Sequence, residues 1–415
     1  MQKHFVNRRN LHYLCRVIEG RLSEVAKAKK RKMKSKKVCI LTQPLWNNYG
    51  ALLQAWALQR VIEQAGFEVV TDRFPKRFNS FWFNACDTAK RTVAHYLLGR
   101  RSVNPFPRRE SRKEWNEISE HTSRFVQNNI KTIDFFEGDI KPRQEIVECF
   151  DTFVVGSDQV WRRDYGRVES YFCDFDSANR AKKIAYAASF GLSKWQYNEQ
   201  ETERLRLLAK QFAALSVRES DAVELCEKYL NTKATNVLDP TLLLTSKDYI
   251  ELIEKNKEVL PQGGMMTYLL DKTPRKLALQ KQLEDKLQLK SFSVMPERVL
   301  GKDTRHFDNR CVYPAVEKWI EGFWKADFVL TDSFHGTVFA IIFHKPFVVV
   351  ANPDRGLSRF VSLLSLYGLE NRLVSEQSDI SFDILQQPID YAATENKLSE
   401  ERERSLQFLI GNLEQ

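Results

Sequence analysis

The chain has 415 residues, enough for two or three domains and for a core that folds without disulfides or a metal. Hydrophobic residues make up 43% and charged residues 28%, which excludes a wholly disordered or fibrous protein, and no apolar run approaches the ~20 residues of a membrane span. The net charge of +10 is concentrated in residues 1–37, which contain 13 Lys and Arg against two Asp and Glu, and the nearly neutral remainder argues against a nucleic-acid partner.

The N-terminal segment has no apolar stretch of the kind found in secretory signals, and the seven cysteines lie far apart without zinc-binding spacing. We therefore expect a cytoplasmic protein with reduced thiols and no bound metal. Within the basic extension 1–37, residues 5–25 are compatible with an amphipathic helix that contacts an anionic membrane surface. A poorly ordered extension is the alternative.

Strands and helices are predicted to alternate from Val38 onwards, which indicates an open α/β domain over 38–245. Its predicted strands are 37–42, 67–72, 152–155, 183–187, 213–217 and 236–238. Its predicted helices are 51–66, 199–210 and 219–230. The less regular region near 73–150 predicts an insertion with helices near 86–98 and 112–128. The aromatic residues at 78–83 and the basic residues at 90–109 suit either a cap over the domain or a wall that faces an anionic or sugar-bearing acceptor.

A second alternation predicts another α/β domain over 246–392, with Ser246 as the N-cap of its first helix. Its predicted strands are 265–270, 290–294, 327–330 and 347–350. Its predicted helices are 247–256, 274–287, 315–324, 334–343 and 357–367. A final amphipathic helix is predicted at 396–413, within a C-terminal segment 393–415.

Ligands of open α/β sheets bind beyond the carboxyl ends of the strands, so the residues that follow each strand are binding candidates. Small polar residues and glycines follow the first three central strands: Asn48, Gly50, Gly156, Ser157, Asp158 and Ser189. Arg218 follows the strand 213–217, where a guanidinium suits a phosphate or carboxylate; a surface ion pair with Glu219 is the alternative. There is no Walker A or GxGxxG pattern, and Asp174-Phe175-Asp176 alone does not indicate a metal.

The segment 328–346 carries the most specific signal, because a buried strand ends there and a helix opens with His335 and Gly336 in its first turn. Ser333 is the expected N-cap, and Thr337 completes the group of binding candidates. A helix N-terminus disfavours the imidazolium form, whereas a bound anion favours it. His335 therefore suits the donation of a proton to an anionic substrate.

Six blocks occur in order along the chain: NNYGALLQAWAL, VVGSDQVW, IAYAASFG, SVRES, VLDPTLLL and TDSFHGTVFA. Together they resemble the polysaccharide pyruvyl transferase family over about 38–360. The resemblance implies two Rossmann-like domains that face each other across a cleft, as in GT-B glycosyltransferases, with the C-terminal helix packing back on the first domain.

The same resemblance implies a reaction in which phosphoenolpyruvate gives its pyruvyl group to two hydroxyls of one sugar, forming a ketal, and phosphate leaves. It implies that His335 is the general acid and that Arg218 binds the anion. It also implies that the Gly-Ser-Asp block lines one wall of the cleft, and Asn48 and Gly50 the opposite wall. Phosphoenolpyruvate is then a co-substrate, and no cofactor is needed. The implied acceptor is a sugar or lipid-linked oligosaccharide of a surface or exopolysaccharide precursor, which fits a cytoplasmic enzyme peripheral to the inner face of the membrane.

One position departs from the family. Many members have Arg two residues before the histidine, where this chain has Ser333. Either Lys345, Arg355 or Arg359 supplies the missing cation, or the donor is not phosphoenolpyruvate. The alternatives to a pyruvyl transferase are a GT-B glycosyltransferase that uses a nucleotide sugar and a non-catalytic relative.

Overall fold

The computed structural model describes residues 36–136, 141–176, 178–254, 263–351, 356–376 and 383–415. Two parallel sheets covered by helices form the framework. The helix predicted at 5–25, and residues 1–35 as a whole, lie outside the described residues. In the part of the chain that is described, no helix combines the length and the apolar character that crossing a bilayer requires.

The first sheet has seven parallel strands in the order β3-β2-β1-β4-β5-β6-β7. They are β1 (Lys37–Leu41), β2 (Glu68–Asp72), β3 (Thr132–Ile133), β4 (Thr152–Val155), β5 (Lys182–Ala188), β6 (Ala214–Val217) and β7 (Thr235–Asn236). The central strands β1 and β4 are almost continuously apolar and buried, as expected of a parallel sheet with helices on both faces.

The second sheet has five parallel strands in the order β12-β11-β10-β8-β9. They are β8 (Met265–Tyr268), β9 (Ser291–Phe292), β10 (Phe328–Thr331), β11 (Phe347–Ala351) and β12 (Leu373–Ser375). Two parallel, helix-covered sheets confirm the predicted α/β fold with two Rossmann-like units. The first sheet falls within 38–245, apart from Lys37, and the second within 246–392, while the domain boundaries themselves stay predictions.

Helices cover both sheets. Those associated with the first sheet are α1 (Tyr49–Gln64), α2 (Phe81–Thr92), α3 (Arg112–Ile118), α4 (Glu120–Asn129), α5 (Glu199–Ala209) and α6 (Asp221–Leu225). Those of the second half are α7 (Ser246–Glu254), α8 (Pro274–Leu287), α9 (Val316–Lys325), α10 (Phe334–Ile342), α11 (Ser358–Tyr367) and α12 (Tyr391–Glu414). Helices α2 and α6 each continue through one wider turn, Val93–Leu97 and Cys226–Leu230.

Several predicted elements have different bounds in the structure. The helix predicted at 112–128 is two helices, because Ser119 leaves the helical conformation between α3 and α4. Helix α2 begins earlier than predicted, at Phe81, because the Ser80 hydroxyl accepts a hydrogen bond from the amide of Phe83. Ser246 is the first residue of α7 rather than its cap; Thr245 precedes it and donates to Asp248.

The two sheets share one large apolar core that is formed mainly by α1, α9, α10 and α12. Trp319 is fully buried at its centre and stacks on Tyr49, with ring centroids 5.5 Å apart. The C-terminal helix α12 reaches the first half of the chain, where the Ser405 hydroxyl accepts from the amide of Leu238 and Arg402 donates to the Leu242 carbonyl. The two halves are therefore packed against each other rather than joined only by a linker.

Candidate functional site

The strand orders determine where the site lies. In the first sheet, strands are added to one side of β1 as far as β3, and β4 then starts the other side, so the strand order switches between β1 and β4. In the second sheet the same switch lies between β8 and β10. Such switch points create a crevice at the carboxyl ends of the strands. The loops that leave β1, β4, β8 and β10 all contribute to one cleft of about 790 Å³ between the two sheets.

His335 enters this cleft from the second half of the chain, in the first turn of α10. Its ring lies against the start of α1: a β-carbon built on Gly50 would be 2.1 Å from His335 Nδ1 and 2.5 Å from Cγ. Gly50 is thus required for the close approach of the imidazole and not for an unusual backbone. His335 Nε2 is buried, makes no hydrogen bond among the described residues, and lies 3.7 Å from the carboxylate Oδ2 of Asp239.

Asp239 follows β7 and is the anionic centre of the site. Its Oδ2 accepts from Arg218 Nη1 at 2.9 Å and from the Ser157 hydroxyl at 3.3 Å. Its Oδ1 accepts from the amide of Thr241 at 3.0 Å and from the hydroxyl of the same residue. Burial alone would raise the pKa of Asp239, but His335, Arg218 and these hydrogen bonds outweigh it and hold the pKa far below its usual range. Asp239 is therefore a carboxylate beside the imidazole at every physiological pH.

Arg218 is buried among carboxylates. Its Nε donates to Glu219 at 3.1 Å, Nη1 to Asp239, and Nη2 to Asp158 at 3.5 Å. Burial acts to lower the pKa of Arg218, yet the three carboxylates outweigh burial and raise it. Burial raises the pKa of Glu219, in spite of its neighbouring cations. The alternative of a surface ion pair is wrong, because both side chains are almost fully buried.

The predicted anion-binding role of Arg218 stays a prediction. Its guanidinium already pairs with three carboxylates, and its carbon Cζ lies 4.3 Å from the ring centre of Phe334, beside His335. This arrangement suits a positioning residue that holds Asp239 and the first turn of α10.

The Gly-Ser-Asp block forms the turn that follows β4. Gly156 has φ +121°, and a β-carbon there would be 2.1 Å from the Tyr186 carbonyl, so only glycine fits. Ser157 donates to the Ala187 carbonyl at 2.9 Å and is fully buried. Asp158 lines the cleft, whereas Ser189 is buried behind it and donates to Glu219 at 2.8 Å. Of these predicted binding residues, only Asp158 lines the cleft.

The other predicted residues flank the cleft in supporting positions. Asn48 lines it and caps α1, with its Oδ1 accepting from the amide of Ala51 at 3.3 Å. Ser333 also lines it and caps α10, as expected. Gly336 lets α10 approach β10, because a β-carbon would be 2.2 Å from Thr331 Oγ1. Thr337 is fully buried and donates to the Ser333 carbonyl, so it stabilises the helix start.

The cations of the cleft are mostly residues that the sequence did not single out. Arg359, one of the three proposed replacements for the family arginine, lines the cleft, and burial together with Arg218 lowers its pKa to about 10. Arg162 lines it too, with Nη1 donating to Gln159 and a buried Nε that makes no hydrogen bond in the described part of the chain. Lys345 follows the other end of α10 and does not line the cleft, and Arg355 lies outside the described residues.

The cleft also has an aromatic wall, but its members differ from the prediction. Trp46 and Trp115 meet edge to face with ring centroids 5.8 Å apart, and Phe74 lies beside Trp46. Lys76 Nζ sits 3.6 Å from the centre of the Trp115 ring. The aromatic residues at 78–83 do not line the cleft, so the wall is built by the two ends of the insertion and by the loop after β1.

Besides the aromatic residues of the wall, sequence reasoning missed Asp239 and Arg162. Asp239 stands in the block VLDPTLLL, directly after a predicted strand, so the rule applied to the other strand ends would have found it. Arg162 had no signal of its own, because it lies six residues beyond Gly156 in an irregular loop. The DxD triplet makes ion pairs instead: Asp174 with Arg204 and Asp176 with the buried Lys183.

A family model for polysaccharide pyruvyl transferases matches residues 48–355, which include the predicted site residues from Asn48 to Thr337 and contribute to both sides of the cleft. The chain belongs to the polysaccharide pyruvyl transferase family. The resemblance that the six sequence blocks carry is therefore confirmed, and with it membership of a transferase family. Among curated proteins, none matches the chain.

Solved structures with a similar chain trace include three nucleotide-bound proteins. A Methanocaldococcus jannaschii UDP-GlcNAc 2-epimerase with UDP-GlcNAc and UDP is 13% identical, with 88% of this chain and 94% of that chain covered and a TM-score of 0.45. The S. aureus MnaA–UDP structure is 11% identical, with 90% of each chain covered and a TM-score of 0.42. The spinosyn rhamnosyltransferase SpnG with thymidine diphosphate is 12% identical, with 89% and 96% covered and a TM-score of 0.39.

Proposed function

We propose that this protein transfers the pyruvyl group of phosphoenolpyruvate to two hydroxyls of one sugar in a surface or exopolysaccharide precursor, with His335 as the general acid. The observation that carries the proposal is the position of the imidazole: it lines the cleft, touches α1 through Gly50, and lies 3.7 Å from Asp239. A proton donor held between two sheets and beside a fixed carboxylate suits protonation of a substrate bound across the cleft.

In the proposed reaction, the π electrons of the phosphoenolpyruvate double bond take a proton from His335, and the methylene carbon becomes a methyl group. The neighbouring carbon becomes electron-deficient, and one sugar hydroxyl adds to it. The bond from that carbon to the phosphate oxygen then breaks, and phosphate leaves with the electron pair. The second hydroxyl adds and closes the ketal; of the two hydroxyl protons, one returns to His335 and the other leaves on phosphate.

Two of the guanidinium groups that line the cleft support an anionic donor. Phosphoenolpyruvate carries a phosphate and a carboxylate, and Arg359 and Arg162 present guanidinium groups of the kind that bind both. Arg359 follows β11 and so takes the place of the family arginine from a different segment. With a pKa of about 10 it stays charged at neutral pH.

The aromatic wall of the cleft supports a sugar acceptor. Trp46 and Trp115 offer flat apolar faces for a pyranose ring, and Asn48 and Gln43 add hydrogen-bonding groups. A volume of about 790 Å³ accommodates phosphoenolpyruvate together with a sugar. Enclosure of both substrates would keep water from the electron-deficient carbon.

The test measures thermal unfolding, and phosphate release in the presence of a sugar or lipid-linked oligosaccharide acceptor, for the wild type and two variants, His335→Gln and Arg359→Ala. Arg60→Ala, at an exposed arginine of α1, is the matched control. We expect phosphoenolpyruvate at about 100 times its dissociation constant to stabilise the wild type by roughly 2.7 kcal/mol. His335→Gln should keep that shift and lose at least ~100-fold in kcat, whereas Arg359→Ala should lose the shift.

Two results would overturn the proposal. A shift with UDP-glucose or GDP-mannose but none with phosphoenolpyruvate would indicate a nucleotide-sugar donor. Phosphate release by His335→Gln at the wild-type rate would show that another group is the acid.

The membrane-surface role proposed for residues 1–37 has its own test: a chain without residues 1–36 should keep its activity on a soluble acceptor and lose activity on a membrane-borne one.

A further inference from the structure

Helix α2 and the turns that follow it expose an unusual amount of apolar surface. Of the 15 large hydrophobic residues that are exposed among the described residues, eight lie between 81 and 106. Phe81 and Leu97 are each 78% exposed and Trp82 is 76% exposed, and no residue of α2 is buried. The other seven are scattered over the rest of the described chain, as is normal for a protein surface.

The orientation of this helix is inverted relative to an ordinary surface helix. The side chains that face the protein are polar: Asp87 Oδ2 accepts from Arg91 Nε at 2.8 Å and from Arg109 Nη2 at 2.6 Å. Arg109 Nη1 also donates to the Thr88 hydroxyl, and the His95 ring bonds the Val103 carbonyl. A surface helix normally buries its apolar stripe and exposes its polar one.

Helical periodicity places a stripe of exposed residues on one outward side of α2, with further exposed aromatic residues flanking it. At 100° per residue, Trp82, Ala85, Ala89 and Val93 fall within about 80° of one another, while the exposed Phe81 and Phe83 lie about 100° to either side of Trp82. The polar pairs of Asp87 and His95 fall on the opposite side. The ion pairs that fix the inner face therefore hold the apolar face towards the outside.

The charges around this face are mostly positive and so favour an anionic partner. Lys90, Arg100 and Arg101 are all exposed, and the only acidic residue between 81 and 106, Asp87, is neutralised by Arg91 and Arg109. An apolar face with aromatic residues and a cationic border matches a bilayer with anionic headgroups. We propose that α2, with its continuation to Leu98, lies in the surface of an anionic membrane and docks the enzyme there.

The position of α2 in the chain links this docking surface to the cleft. The segment before it contributes Phe74 to the cleft, and the segment after it contributes Glu110 and Trp115. Arg109, which holds the inner face of α2, directly precedes Glu110. A docked helix would therefore bring the aromatic wall of the cleft to the membrane surface, where a lipid-linked acceptor would lie. The docking itself requires no substrate and can be tested apart from the reaction.

The experiment uses the full chain and vesicles of phosphatidylcholine, with and without phosphatidylglycerol. A Phe81→Ser/Trp82→Ser/Leu97→Ser variant should bind phosphatidylglycerol vesicles at least ~10-fold more weakly than the wild type. Arg100→Gln/Arg101→Gln should weaken binding by about 5-fold per cation. The matched control, Leu207→Ser/Leu277→Ser, removes two exposed apolar residues elsewhere and should bind as the wild type does.

A second readout separates α2 from the basic residues 1–37, which contain no tryptophan. Brominated lipids should quench the fluorescence of Trp82 in the wild type, and a Trp82→Phe variant should bind equally but lose that quenching. The proposal is overturned if the triple variant binds like the wild type, or if Trp82 is not quenched while vesicles are bound. It is also overturned if the wild type does not bind vesicles, or if it is a dimer that the triple variant converts to a monomer, since a second copy would then cover this face.

Discussion

Replacing Gly50 with alanine tests whether His335 is held where the structure shows it. Gly50 is the second residue of α1 and has no positive φ, so alanine suits its backbone and would by itself stabilise the helix by about 1 kcal/mol. The new methyl group would lie 2.1 Å from His335 Nδ1. An ordinary contact is about 3.5 Å, so the ring would have to move by about 1.4 Å.

The magnitudes separate stability from activity. Overpacking of this size costs about 1–3 kcal/mol, and the gain in helix propensity offsets part of it, so Gly50→Ala should unfold only slightly more easily than the wild type. A displacement of ~1 Å from the productive geometry is expected to lower kcat about 100-fold. We therefore expect a folded protein with little activity, measured by urea denaturation and by phosphate release from phosphoenolpyruvate.

Gly411→Ala is the matched control, because Gly411 lies within α12 and a β-carbon there meets nothing within 4 Å. It should be more stable than the wild type by about 1 kcal/mol and fully active. The double variant Gly50→Ala/His335→Ala should recover the stability that the clash removes, whatever the reaction is. If Gly50→Ala is as stable and as active as Gly411→Ala, the imidazole does not rest on α1 and the geometric reasoning is refuted.

Three further predictions follow from buried groups and close contacts. Burial raises the pKa of Asp72 to about 7, so the folded state holds a proton that the unfolded state loses near pH 4; stability should fall as pH rises from about 4 to 7, by roughly 4 kcal/mol in all. Asp72→Asn keeps the Oδ1 acceptor of two backbone amides and should flatten this dependence in urea denaturation, and a wild-type curve that is equally flat would contradict the assignment. Arg218→Lys should lower the free energy of unfolding by about 3 kcal/mol, since the single nitrogen of lysine cannot reproduce the planar fork whose three nitrogens reach three separate carboxylates. The variant should keep the thermal shift with phosphoenolpyruvate; loss of the shift without loss of stability would establish the anion-binding role instead. Gly356→Ala would bring a β-carbon 2.1 Å from the Gly191 carbonyl oxygen, at a contact between the two halves, and should lower activity. Gly368→Ala is the control, because Gly368 has a similar positive φ but open space around it, and it should lower activity less. Equal activities would show that the contact is unimportant.

Local sequence patterns were sufficient for the elements that are buried on a regular period. Helix α1 was predicted at 51–66 and found at Tyr49–Gln64, and the α/β class followed from such segments. The predicted start of α1 is two residues late, because Tyr49 is buried by the other half of the chain and its hydroxyl donates to the Pro314 carbonyl at 2.8 Å. The hydrophobic period of one helix cannot predict a contact with a residue so far away in the sequence. The two-residue strand β3 was missed for a related reason, since it is too short to show alternation.

The site was predictable as a set of strand ends but not as a network. Strands β4, β5, β6 and β7 are neighbours in the sheet, so Asp158, Ser189, Arg218 and Asp239 form a row along its carboxyl edge. The sequence identified three of these four without the strand order that brings them together. That order decides the character of Arg218: alone after β6 it suits a ligand, whereas between Asp158 and Asp239 it is paired and buried.

The acid of the proposed reaction belongs to neither half of the chain by itself. His335 comes from the second half of the chain. Gly50, against which the imidazole packs, and Asp239, whose carboxylate faces Nε2, come from the first half. The low pKa of Asp239 depends in turn on His335 and Arg218, so the carboxylate is held in its charged state by groups from both halves. A substitution that shifts the halves relative to each other would therefore change the surroundings of His335 even though it does not contact His335. This dependence explains why the residues that shape the site include glycines at contacts between the halves as well as the groups that carry charge.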